Sequence, residues 1–122
     1  MGVGVWRWES WAVSDLLRKA FVLKLKPGAL DDYMYWHDNI WPELQQEIAA
    51  QGIAEITLFQ LDDMIFLVSE VSDADAWDRL WSSDVHKRWG KLMDPLMHYR
   101  EDGVIESREL REIWHFVPER TA

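Results

Sequence analysis

Four runs of alternating or β-branched residues, two helix-patterned stretches and the turn residues between them predict an α+β domain of order β-α-β-β-α-β, a ferredoxin-like βαββαβ sandwich. A second observation concerns its assembly. Two helices cover one face of a four-stranded sheet, yet the run Met64 to Val71 is largely apolar on both faces. Packing the open face on a second copy resolves this, so a symmetric homodimer of the dimeric α/β-barrel type is expected. Third, 122 residues suffice for one sizeable core and not two.

The elements follow in order. Residues 1–15 read as an N-terminal extension and 16–122 as the ferredoxin-like domain. In the extension, Trp6 and Trp8 alternate as on a short strand, with Trp11 beyond them. Covering a sheet edge, joining a neighbouring subunit and being foreign to the native chain all stay open for this segment. From Arg18 to Leu25, Phe21, Leu23 and Leu25 share one strand face and Ala20, Val22 and Lys24 the other, until Pro27-Gly28 ends the run. A helical stretch from about Ala29 to Ala50 is interrupted at Pro42 and closed by Gly52. Ile53 to Leu61 and Met64 to Val71 form a hairpin around Asp62-Asp63. Ser72 or Asp73 begins the next helix, with Trp77, Leu80 and Trp81 as its buried stripe. Ser82-Ser83-Asp84 restarts a helix through Val85, Trp89, Leu92 and Met93 to Pro95. Tyr99 to Ser107 is polar and loop-like, and Glu109 to Val117 alternates as the last strand.

Composition narrows the function. A net charge of −9 argues against nucleic acid and anionic membrane surfaces as partners and fits a neutral or cationic small molecule. The absence of cysteine excludes disulfides, thiolate catalysis and cysteine metal sites. No apolar run approaches a membrane span and no signal-peptide core opens the chain, so a cytoplasmic location is the default expectation. Nine tryptophans are many for this length.

The densest mixture of aromatic and proton-transferring groups is Tyr33 to Glu43. Tyr33, Trp36, His37, Ile40 and Leu44 share one helical face, and Tyr33 and His37 are one turn apart. Pro42 cannot donate to the carbonyl of Asp38, so the helix should bend or restart between Asp38 and Trp41, leaving His37 beside the break. The plain alternative for His37 is a satisfied packing residue. His86, beside Lys87 and Arg88, reads as surface; His98 falls at a loop; His115 shares a strand face with Arg111 and Ile113. The histidine spacings match no metal-ligand pattern. Met34, Met64, Met93 and Met97 are most simply core filler.

The chain resembles the L-rhamnose mutarotases, small ferredoxin-like proteins that form dimers. The similar residues are Arg18-Lys19-Ala20-Phe21-Val22; Tyr33 and His37 followed by Ile40-Trp41-Pro42-Glu43-Leu44; Ser83-Asp84-Val85 with Lys87-Arg88-Trp89 and Met93; and Leu110-x-Glu112-Ile113. They span about Leu17 to Val117. The resemblance implies that His37 is the acid/base and Tyr33 a second active-site residue, and it points to Trp89 in the sugar pocket. Two positions depart from the pattern: Gly90 stands where the family commonly has a second Trp, and Asp38-Asn39 where it has Asn-Pro. These bear on the sugar's identity more than on the chemistry.

The chemistry agrees with the residues. Mutarotation of a pyranose removes a proton from the anomeric hydroxyl and delivers one to the ring oxygen. The ring opens, the carbonyl turns and the ring recloses on its other face. An acid/base near its working pKa suffices, without metal or redox cofactor, and an unperturbed His has that property. A Tyr hydroxyl donates a hydrogen bond, and tryptophans stack on the apolar face of a deoxy sugar; Trp36, Trp41 and Trp89 are the candidates. A mutarotase acting on an L-rhamnose- or L-fucose-type sugar is the first reading. A small monooxygenase or haem-handling protein of the same fold and a non-catalytic sugar-binding domain are the others.

Overall fold

In the computed structural model, which describes residues 16–103 and 105–119 of the chain, the first strand forms where the apolar residues alternate. β1 spans Leu17–Lys24. The tryptophans of the first eleven residues lie outside the described residues. After the turn at Pro27-Gly28, helix α1 covers Leu30–Asp38, with Asp31 and Asp32 in the first turn where the helix dipole favours them. It stops at Asn39, whose backbone N–H reaches the carbonyls of Tyr35 and Trp36 and whose side-chain amide donates to Tyr35 O. Trp41 is extended, and Pro42 opens helix α2, Pro42–Ala50, at a first-turn position where a missing N–H costs nothing. The break foreseen between Asp38 and Trp41 is therefore a complete restart.

Gly52 closes α2 at φ +91, and a Cβ there would lie 2.0 Å from Ser72 Oγ. Gly52→Ala meets both a left-handed backbone and a clash, so it should destabilise the protein by more than about 1 kcal/mol, read by urea titration. An unchanged midpoint would mean that the Ser72 loop gives way freely.

β2 (Ile53–Leu61) and β3 (Met64–Val71) form the hairpin, turning at Asp62 with φ 54. β3 also pairs with β1 along its whole length, from Leu17↔Val71 to Lys24↔Met64. α3 spans Ala76–Trp81 and α4 Asp84–Met93, followed by a 3-10 turn over Asp94–Leu96. β4, Ser107–Leu110, pairs with Ala20 to Leu23 of β1. The sheet order is β2-β3-β1-β4, antiparallel throughout, with the helices over one face, which is the ferredoxin-like arrangement.

Register sorts the side chains. Phe21, Leu23, Ile65, Leu67, Ser69, Ile56 and Leu58 face the helices. Ala20, Val22, Phe59, Leu61, Met64, Phe66 and Val68 fall on the opposite face, where Phe59 is 58% and Leu61 61% exposed. β3 is thus apolar on both sides, as its sequence indicates. One set of buried polar atoms is satisfied in series: the Trp77 indole N–H donates to Ser69 Oγ at 2.8 Å, and Ser69 Oγ donates to Lys19 O at 2.7 Å.

Three expectations are corrected. The last strand runs Ser107–Leu110, not Glu109 to Val117; residues 111–117 are exposed and unpaired as strand, so His115 shares no strand face. The second helical stretch begins at Ala76 because the Asp73 carboxylate is engaged elsewhere, accepting from Asp75 N and from the Arg79 guanidinium. Trp81 is 41% exposed rather than part of a buried stripe. It reaches the edge of the cavity described next.

Candidate functional site

Between the helix-facing side of the sheet and the helices lies a cavity of about 740 Å³, open to solvent at one side. The sheet contributes an apolar wall: Phe21, Leu23, Ile56, Leu58 and Leu67. The helices contribute Tyr33 and His37 from α1, and His86, Trp89 and Gly90 from α4. Trp77 and Trp81 from α3 close one end, each meeting the Phe21 ring edge-on at 5.8 and 5.4 Å. Such a space has one apolar side and a few convergent polar groups, which suits an amphipathic small molecule.

His37 is placed by the helix end. It occupies the last turn of α1, and its Nδ1 lies 2.7 Å from the carbonyl oxygen of Tyr33. A carbonyl oxygen only accepts, so Nδ1 carries the proton and the neutral ring keeps its lone pair on Nε2. The contact to Tyr33 is therefore made by its backbone, not by its phenol. The two rings lie 4.3 Å apart between centroids, and the Trp89 indole meets the imidazole edge-to-face at 5.5 Å. Burial pushes the His37 pKa below its ordinary 6.5, and the bond to Tyr33 and the charge of Asp38 pull weakly the other way. The Tyr33 phenol is pushed up to about 12 by burial, so its hydroxyl stays protonated as a donor.

Trp89 is buried within α4 and lines the cavity. Trp41 does not line it. It packs edge-on against Trp89 at 5.3 Å, with the Arg88 guanidinium 5.8 Å from its ring and Arg88 paired to Glu43 at 2.9 Å. Trp41 thus supports Trp89 from behind. Trp36 likewise lies outside the lining, its ring edge-on to Tyr35 at 5.2 Å. The structure brings Tyr33, His37 and Trp89 together and leaves Trp36 and Trp41 in the layer around them.

His86 corrects the surface assignment. It lines the cavity, and burial lowers its pKa. On a helix of about 100° per residue, Val85, Trp89, Met93, His86 and Gly90 fall in one arc of about 140°, with His86 about 20° from Met93. That angular position was readable, but Lys87 and Arg88 next to it suggested a solvated face. His98 stands elsewhere, 3.8 Å from Glu106, and His115 is exposed beyond β4. Among the described residues no group of three or more His, Asp and Glu side chains could hold a metal ion, and no helix is long and apolar enough to cross a membrane.

The profile of the L-rhamnose mutarotase family matches residues 18–116. The L-rhamnose mutarotases of Shigella flexneri serotype 5b and Escherichia coli K12 are each 30% identical over 102 residues, covering 82% of this chain and 98% of theirs. The crystal structure of L-rhamnose mutarotase from Formosa agariphila superposes with a TM-score of 0.70 at 28% identity, over 83% of this chain and 99% of that one. A cofactor-independent oxygenase from Streptomyces nogalater, at 15% identity and a TM-score of 0.54 over 84% of this chain and 98% of its own, shares the fold alone.

Proposed function

Because the chain belongs to the L-rhamnose mutarotase family, a family of isomerases acting on carbohydrates, we propose that it interconverts the α and β anomers of a 6-deoxy aldose without a cofactor. L-Rhamnose is the first candidate and L-fucose the second. The observation that carries the reading is the geometry of His37: Nδ1–H is tied to Tyr33 O, which leaves a basic Nε2 with no hydrogen-bond partner among the described residues, in a ring that lines the cavity.

The reaction follows from that nitrogen. Nε2 takes the proton of the anomeric hydroxyl and passes it to the ring oxygen as the C1–O5 bond breaks, and the free aldehyde turns about C1–C2. In ring closure O5 gives up its proton as it attacks C1, and the carbonyl oxygen gains one. The imidazolium formed in between keeps its Nδ1–H on the Tyr33 carbonyl, and the Tyr33 hydroxyl can donate to the developing alkoxide. The sheet wall of Phe21, Ile56 and Leu58 suits a methyl-bearing sugar face. The reading is tested by anomer exchange of L-rhamnose and L-fucose, followed by NMR. Binding with no exchange above the solvent rate would make the protein a sugar-binding domain instead.

The pH dependence follows in sign. Both cavity imidazoles have depressed pKa values, so the basic form persists below 6.5. Exchange above the solvent background should hold level from pH 8 down to about 6.5 and fall only below it. Stability moves the same way. The unfolded chain binds these protons first, so stability declines as pH drops through the unfolded value towards the depressed ones. A rate that declines already from pH 7.5 would place the working group outside this cavity.

We also propose a homodimer in which the open sheet faces cover each other. Its support is the row of Val22, Phe59, Phe66 and Val68 on the face without helices. Beyond β4, Ile113, Trp114, Phe116 and Val117 are also exposed, and Trp114 and Phe116 stack in parallel at 5.7 Å. That much apolar surface exceeds what a lone protomer of this size ordinarily leaves in water.

A further inference from the structure

We infer that His86 is a second proton-transferring group of this cavity, serving the anomer that His37 does not reach. The inference rests on the mutarotase reading and extends it to a residue outside the family motif quoted above.

The placement comes first. Ser83 caps α4 by accepting the backbone N–H of His86 at 3.2 Å, which fixes the first turn and the direction in which the His86 side chain leaves it. His86 lines the same cavity as His37 but enters it from α4 rather than α1. Trp89, on the turn above His86, is the indole that meets His37 edge-on. Among the described residues the His86 ring has no hydrogen-bond partner, so no tautomer is imposed and either nitrogen can accept. Gly90 stands one turn further along. A Cβ there would meet nothing within 4 Å, so packing does not demand a glycine, and the space beside the imidazole is open. Burial keeps the ring in its neutral form, the form able to accept a proton.

The chemistry asks for such a second group. When the C1–C2 bond turns, the carbonyl oxygen moves from one side of the sugar ring to the other. A single fixed base can serve the anomeric oxygen well in one position only. In the opening step His37 takes the anomeric proton and gives it to O5. In the closing step O5 attacks C1, its proton passes to His86, and His86 hands it to the carbonyl oxygen in the new position. Each imidazole begins and ends neutral, and no proton is gained or lost overall. In the reverse direction the two exchange roles. Tyr33 does not fill this place, because a phenol held near 12 donates a hydrogen bond but does not accept a proton.

The test is anomer exchange of L-rhamnose by NMR on the full chain, with kcat and KM separated and circular dichroism as the check on folding. His86→Gln should lower kcat by about 100-fold, with KM changed by a few-fold at most. In His86→Ala, added imidazole should restore exchange in proportion to its concentration, whereas pyrrole, which has no basic nitrogen, should not. A purely structural role would show no such distinction, and this arm also decides the matter if the glutamine variant folds poorly. A His86→Gln protein within about threefold of the wild type, or a folded His86→Ala protein that imidazole does not restore or pyrrole restores equally, overturns the inference and leaves the mutarotase reading standing. A wild-type protein without exchange on either sugar removes the reading and the inference together.

Discussion

His37→Asn should lower anomer exchange by roughly 100- to 10,000-fold, the usual cost of removing a positioned acid/base group. The substitution is chosen from the geometry. An Asn amide N–H can still donate towards the carbonyl of Tyr33, which now accepts from His37 Nδ1 at 2.7 Å, so the last turn of α1 keeps its tie. What is lost is the basic Nε2, since an amide has no nitrogen lone pair to offer at neutral pH. Tyr33→Phe should cost less. The backbone carbonyl that fixes the His37 tautomer survives that change, and water can replace a phenolic donor. Both variants are compared by NMR exchange of L-rhamnose, with circular dichroism to verify the fold. A folded His37→Asn protein exchanging at nearly the wild-type rate would refute the assignment and leave His86 as the principal base.

The sequence carried most of the fold because its local rules agree with the global arrangement. Alternation in Phe21, Leu23 and Leu25 is the pleat itself, and Pro42 can only begin a helix where it stands. Gly52 takes a positive φ that few other residues tolerate. The site was legible to the extent that it lies on one helical face: Tyr33 and His37 share a face and meet at 4.3 Å. Its other half was hidden. His86 reaches the cavity because α4 packs beside α2 and brings Trp89 against His37, a tertiary fact, and the charges of Lys87 and Arg88 beside it describe only the outer side of the same helix. Phe21 and Trp81 were hidden likewise, since a strand pattern says which face is apolar but not where the helices leave that face uncovered. Trp41, a candidate for stacking on a sugar, packs its ring against Trp89 and beside the Arg88 guanidinium, an arrangement set by how the helices meet and not by the local pattern.

The last strand was overextended for a reason that bears on assembly. The alternation of Trp114 and Phe116 is real, but β4 ends at Leu110, opposite Ala20, and Trp114 and Phe116 remain 77% and 62% exposed. Alternating apolar residues without a surface in their own protomer fit one supplied by a second copy, as the open sheet face does.

Val68→Glu tests that directly. Val68 lies near the middle of the open face, between Ala20 of β1 and Thr57 of β2 in register, and is 39% exposed in the single chain. Its side chain points away from the helices and the cavity, so the protomer has no need of it for its own core. In a two-fold dimer of sheet faces the substitution buries two carboxylates, one from each protomer, without a cation designed to meet them. Burying an unpaired charge costs several kcal/mol, and each 1.4 or so is tenfold in an equilibrium constant. The dimer should therefore loosen by about 100-fold or more, and sedimentation at micromolar concentration should change from dimer to monomer with the circular dichroism spectrum intact. A Val68→Glu protein that stays dimeric, or a wild type that sediments as a monomer, would show that this face is covered some other way. If the variant monomer still exchanges anomers, the proton-transferring site is complete within one chain, as the cavity walled by β1, β2, β3 and the helices of a single protomer leads us to expect.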